Sequence, residues 1–178
     1  MDVGDLVITE LRGPKSTSDT YGHWIELLNT TDAEVNLYGL RIRMKDTSGV
    51  DAADPHVALV RNELLSVEAH GYIVLGLQYD DALPEHVDYG YRVSDNTQDL
   101  PNAARITVST CDVDVDEVIY AGPLEFDGSL AFDGALEPTA EANDNQASFC
   151  RDESDAPVGA AVGVGKPGTP GEPNNPCP

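Results

Sequence analysis

The sequence predicts an all-β fold, a sandwich of short strands, and three observations carry that expectation. Apolar residues recur with period two over short runs rich in Val, Ile, Leu and Tyr. Turn residues punctuate those runs at intervals of about ten. No window of about eleven residues or more holds a clean helical period.

The elements follow in order. Residues 5–11 form a first strand, with Leu6 and Ile8 on one face and Val7, Thr9 and Leu11 on the other. Gly13 and Pro14 open a polar loop that lasts to Tyr21. The stretch 22–42 organises the rest: strand, tight polar turn, strand. Ile25 and Leu27 point inward, and Trp24 lies on the opposite face as a partly exposed plate or a second-layer anchor. Asn29 to Asp32 supply short polar side chains that bond their own backbone, so the stretch is expected to be a hairpin. Leu37, Leu40 and Ile42 restart the pattern, with Gly39 at a bend.

Residues 40–44 alternate apolar and basic, which marks a strand with one wet face. After a loop over 45–55, residues 56–60 make a short strand. Leu64 to Val67 lead into 71–77, a run apolar on both faces and read as a central, doubly covered strand. Residues 78–100 are acidic and irregular and carry Tyr79, Tyr89 and Tyr91. Residues 104–110 and 113–120 form a hairpin around Cys111 and Asp112. Turn-then-strand units follow at 127–130 and 133–136, and a last short strand covers 146–150. From Ser154 the chain turns to Gly, Pro and Ala, an irregular coil that is ordered only if tied down. The expected organisation is a sandwich domain over 1–153 with a Pro/Gly-rich extension over 154–178 packed on it or trailing from it.

Composition narrows the partners. The chain has 178 residues, enough for one core without an obligatory metal or disulfide. Its 32 acidic residues against 10 basic ones give a net charge of −22. Nucleic-acid binding needs basic patches that displace counterions, and no run of basic residues supplies one. Anionic membrane surfaces are disfavoured for the same reason. No run approaches the ~18 apolar residues of a membrane span. No basic-then-apolar leader precedes Asp2, and the N-terminus by itself does not decide on export. Cys111, Cys150 and Cys177 are an odd number, so one bridge and one free thiol are expected. Cys150 is expected in the bridge, with Cys111 or Cys177 as its partner. No C-x-x-C motif supports zinc or dithiol chemistry.

Several of these segments together resemble the lamin tail domain. They are Ile8-Thr-Glu-Leu11, Trp24-Ile-Glu-Leu-Leu-Asn29, Val35-Asn-Leu-Tyr-Gly-Leu-Arg-Ile42 and Gly71-Tyr-Ile-Val-Leu75. The later hairpin fits through Leu100, Pro101, Asn102, Ile106, Val108 and Val115 to Tyr120. Asp127 to Leu130, Asn143-Asp144, Phe149-Cys150 and Gly168-Thr-Pro-Gly-Glu-Pro-Asn174 look like the extended ending of bacterial secreted members, although Phe149 stands where Trp is frequent. The resemblance covers nearly the whole chain. It implies an immunoglobulin-like sandwich acting as a non-catalytic binding or targeting module, extracellular or in the cell envelope, that contacts protein or glycan. No heptad segment is present, so a filament role is not implied. The family offers no catalytic residues to carry over.

Asp112, Asp114 and Asp116 alternate, which would put three carboxylates on one strand face, and Asp112 and Asp114 are the candidate ligands for Ca²⁺. An EF-hand is excluded because Glu117 and Pro123 occupy the positions that require Gly and Glu. Solvated or turn carboxylates are the competing reading, and no other cofactor is expected. Glu10 and Glu26 sit on strands that could be neighbours and are read as structural, bonding loop backbone or pairing with Arg41 or Arg43. Four dispersed histidines show no metal-ligand spacing, and Ser129 is not in a nucleophile elbow. Tyr79, Tyr89 and Tyr91 are the candidate binding plate for sugar or peptide, with packing of the loop as the bland alternative. A calcium-binding accessory domain of a secreted hydrolase or nuclease, or a spacer in a surface protein, are the alternative functions.

Overall fold

In a computed structural model, residues 1–13, 22–49, 55–77, 83–91, 100–122, 124, 128–154 and 168–178 are described. The strands build two main sheets and a small third one. The first sheet holds β1 (Leu6–Arg12), β2 (Trp24–Asn29), β7 (Tyr72–Gly76), β8 (Tyr89–Gly90), β11 (Ser129–Phe132) and β12 (Phe149–Asp152) in the order β12-β11-β1-β2-β7-β8. Its pairs are antiparallel except β7 with β8, which run parallel. The second sheet holds β4 (Arg41–Asp46), β5 (His56–Leu59), β9 (Ala104–Ser109) and β10 (Asp114–Tyr120) in the order β10-β9-β4-β5. The third pairs β3 (Val35–Asn36) with β6 (Ser66–Val67).

The two main sheets close over one interior, as expected of a sandwich. Ile25, Leu27, Ile73 and Leu75 from the first sheet share a core with Ile42, Met44, Ile106 and Val108 from the second. Alternation therefore predicted most facing correctly. The β9–β10 hairpin also forms as expected, with the Thr110 N–H donating to the Val113 carbonyl at 2.9 Å.

Three expectations need correction. Leu11 joins Leu6 and Ile8 in the main core rather than sitting with Val7 and Thr9. The register against β2 slips between Ile8 and Glu10, so one extra residue flips the facing beyond it. The 22–42 stretch is not a hairpin, because β2 pairs with β1 and β7 while β3 pairs with β6. Its polar turn carries the chain to the third sheet. Asn29, fully buried, holds that turn. Its Nδ2 donates to the carbonyls of Ala33 (2.7 Å) and Glu68 (2.9 Å), while its Oδ1 accepts from the Thr31 N–H (2.9 Å). Finally, residues 133–136 form a turn without a strand, and a 3₁₀ turn over Gln146–Ser148 precedes β12. β8 and α1 (Ala140–Asn143) were not expected; α1 is a single turn whose N-cap Thr139 Oγ1 accepts from the Ala142 N–H.

Candidate functional site

The polar groups that converge most closely lie on the outward face of the first sheet. Glu10 and Glu26 are directly opposite each other on β1 and β2, and both are fully buried. Two like charges facing across a ladder are unfavourable, so what covers them matters. The cover is the described part of the C-terminal extension.

Glu10 Oε1 accepts from the Ser129 hydroxyl and from the Thr169 N–H at 3.1 Å. Its Oε2 lies 3.1 Å from Thr169 Oγ1, which is in turn 3.0 Å from Asn174 Oδ1. Glu26 accepts from Thr9 Oγ1 at 2.8 Å and from the Gly171 N–H at 2.7 Å. Burial pushes the Glu10 carboxyl up to about 7, against the lowering pull of its hydrogen bonds. Glu26 is also raised well above the usual range, by burial first and by Glu10 second. A proton on Glu10 resolves the geometry. One hydroxyl hydrogen cannot serve both Glu10 and Asn174, but a protonated Glu10 Oε2 donates to Thr169 Oγ1, which then donates to Asn174. Gly168 shows how close the approach is. Its φ is +79°, and an added Cβ would lie 2.1 Å from Glu10 Oε1.

The β1 bulge leaves backbone groups without a strand partner, and side chains from three elements satisfy them. The Ile8 N–H donates to Asp116 Oδ2 at 2.6 Å. Asn143 Nδ2 donates to the Ile8 carbonyl at 3.0 Å and to Asp116 Oδ2 at 2.7 Å. Asn174 Nδ2 donates to the carbonyls of Thr9 and Phe132, both at 2.9 Å. Burial raises Asp116 to about 7 in spite of these donors. The disulfide Cys150–Cys177 completes the fastening by tying the extension to β12. Cys177 is thus the partner of Cys150, and Cys111 is free and exposed.

The expected site residues fall elsewhere. Tyr89 and Tyr91 are 4% and 1% exposed and pack in the main core. Buried rings offer no plate, so the expected tyrosine surface is corrected to core packing for both. The Tyr89 hydroxyl accepts from the Arg61 N–H at 3.1 Å. Tyr79 lies outside the described residues. The segment 83–87 covers the other half of the same sheet face, where Val87 and Leu83 pack with Val74 against the fully buried Trp24. Trp24 is therefore a second-layer anchor rather than a plate.

The three aspartates do not share a face. The register slips between Asp114 and Asp116, which turns Asp116 inward while Asp112 and Asp114 stay exposed. Asp114 pairs with Arg43. Among the described residues no group of three His, Cys, Asp or Glu side chains could hold a metal ion. Glu10 and Glu26 bond extension backbone as one expectation had it, and the proposed pairing with Arg41 or Arg43 is not made.

Sequence reasoning missed Ser129, Asn143 and Thr169 as partners of the buried acids. Their signal was present only as the resemblance of the Asn143-Asp144 and 168–174 segments to a family ending. No family model matches the chain, and no curated protein matches it.

Proposed function

We propose that this chain is a non-catalytic binding or targeting module of the lamin-tail type, with an immunoglobulin-like sandwich, working outside the cell or in its envelope and contacting protein or glycan through its connections. One observation carries the reading. The buried carboxylates Glu10, Glu26 and Asp116 are engaged by donors of the chain itself, so groups that would otherwise suit acid–base chemistry serve to fasten the fold. The residues behind the resemblance support it as well. Ile8 to Leu11 carry the bulge, Asn29 holds the turn, and Gly168 to Asn174 supply the fastening. The disulfide supports an oxidising location.

With Tyr89 and Tyr91 in the core, contact through the 78–100 connection falls to its remaining residues. The test is a peptide and glycan array probed with the native chain and with a variant whose residues 92–99 are replaced by a Gly/Ser linker of equal length. Hits lost in a variant of unchanged melting temperature support the reading. Hits retained in full reject contact through residues 92–99, and turnover of an arrayed compound rejects the non-catalytic class.

A further inference from the structure

The outward face of the second sheet carries a feature that the proposed loop contact does not use and does not depend on. On β4, Arg41, Arg43 and Lys45 alternate with buried Ile42 and Met44, so three cations stand on one face of one strand. Arg105 of β9 lies directly opposite Lys45 and faces the same way. Four of the chain's ten basic residues thus meet on one face of a molecule with a net charge of −22.

That face holds a cleft of about 220 Å³ lined by Arg43, Lys45, Arg105, Thr107, Asp114 and Glu117. Asp114 pairs with Arg43, and Glu117 holds Arg105 at 3.1 Å. Both acids come from β10, on one side of the cations. No described carboxylate pairs with Lys45 or Arg41. Lys45 and Arg105 are like charges set directly across a ladder, and Glu117 offsets only Arg105, so an added anion relieves the remaining charge at Lys45. Exposed apolar side chains flank the cations on the same face. Val57 opposes Arg43 from β5, and Ile119 opposes Arg105 from β10.

We propose that this face binds an extended peptide segment bearing carboxylates at alternate positions, laid along β4. The spacing selects such a ligand. Alternate residues of β4 are about 7 Å apart, the same step that separates alternate side chains of any extended peptide. The carboxylates meet Arg41, Arg43 and Lys45, and apolar parts of the segment rest on Val57 and Ile119. The net charge argues against a dense polyanion. Within roughly 8–10 Å, the range of unscreened charge at moderate salt, the cations attract; beyond that the acidic surface repels.

The probe is a short fluorescent peptide alternating Glu and Thr, compared by anisotropy with a peptide of the same composition whose Glu residues are contiguous. The native chain is expected to bind the alternating peptide several-fold more tightly than the contiguous one. The double variant Arg41→Gln/Lys45→Gln is expected to weaken that binding about tenfold, with no loss of melting temperature, and added salt is expected to weaken it further. Absence of binding by the alternating peptide, equal binding of the two peptides, or undiminished binding by the double variant each overturns the proposal. So does a polyuronate that binds the face more tightly than the peptide, since it assigns the cations to a glycan.

Discussion

The two main sheets share one core but treat their outward faces in opposite ways. The first sheet covers its outer face twice, with the 83–87 segment over Trp24 and Val74 and with residues 168–178 over Thr9, Glu10 and Glu26. The second sheet leaves its outer face to solvent, with Arg41 and Arg105 exposed beside the half-buried Arg43 and Lys45. The difference shows in the chemistry of each face. Acids on the covered face lose water and are driven toward protonation, whereas cations on the open face keep their water. The covered face contributes to stability, and the open one is available for contact.

The covered face should therefore be the fragile one. Trp24→Ala empties the apolar cover at full burial and is expected to cost about 3–5 kcal/mol, read by denaturant unfolding. Cys177→Ser releases a bridge that spans 27 residues of sequence and is expected to cost about 3 kcal/mol. The same change should expose residues 168–178 to protease before the sandwich unfolds. If both variants melted like the native chain, the cover would be ornamental and the contrast between the faces would fail.

The third prediction concerns pH. Burial lifts Glu10 and Asp116 to about 7 in the folded state, above their ordinary values of 4.5 and 3.8. The native state binds these protons more tightly than the unfolded chain does. Their contribution is complete below the unfolded values and is lost as pH rises through about 7. Stability should thus fall between about pH 4 and pH 7, by up to ~1.4 kcal/mol per pH unit for each group, and level off above that. Glu10→Gln, which keeps a donor toward Thr169 Oγ1 at every pH, should flatten part of that slope and leave the variant more stable than the native chain above pH 8. A native chain that gains stability over this range would show that the buried acids are ionised.

The open face should respond least. Lys45→Gln removes one of two opposed cations and is expected to change stability by no more than ~0.5 kcal/mol, in the stabilising direction. A loss of several kcal/mol in thermal unfolding would mean that this face is structural as well.

How much of this was legible follows the range of the interactions involved. Facing along β2 and β4 could be read from alternation, because period two is local and needs no knowledge of the partner strand. The slips at Thr9 and Val115 could not be read, since a bulge is set by the partner strand; they moved Leu11 and Asp116 to faces that alternation denied them. The hairpin read at Asn29 failed for a related reason. Its turn chemistry is genuine, but Asn29 also answers to Val67 and Glu68, about forty residues later in sequence. The fastening of Glu10 by Thr169 spans 159 positions, and no local pattern can announce it. Tyr89 and Tyr91 misled because aromatic residues in an acidic connection look available until the connection is seen to dip into the core.

The disulfide has a mechanical consequence. Cys177 lies C-terminal to Thr169 and Gly171, so tension arriving from its C-terminal side meets the bridge before it meets their hydrogen bonds. Part of that load passes to Cys150 and is spread over the β11–β12 ladder, so the clasp over the two glutamates does not bear it alone.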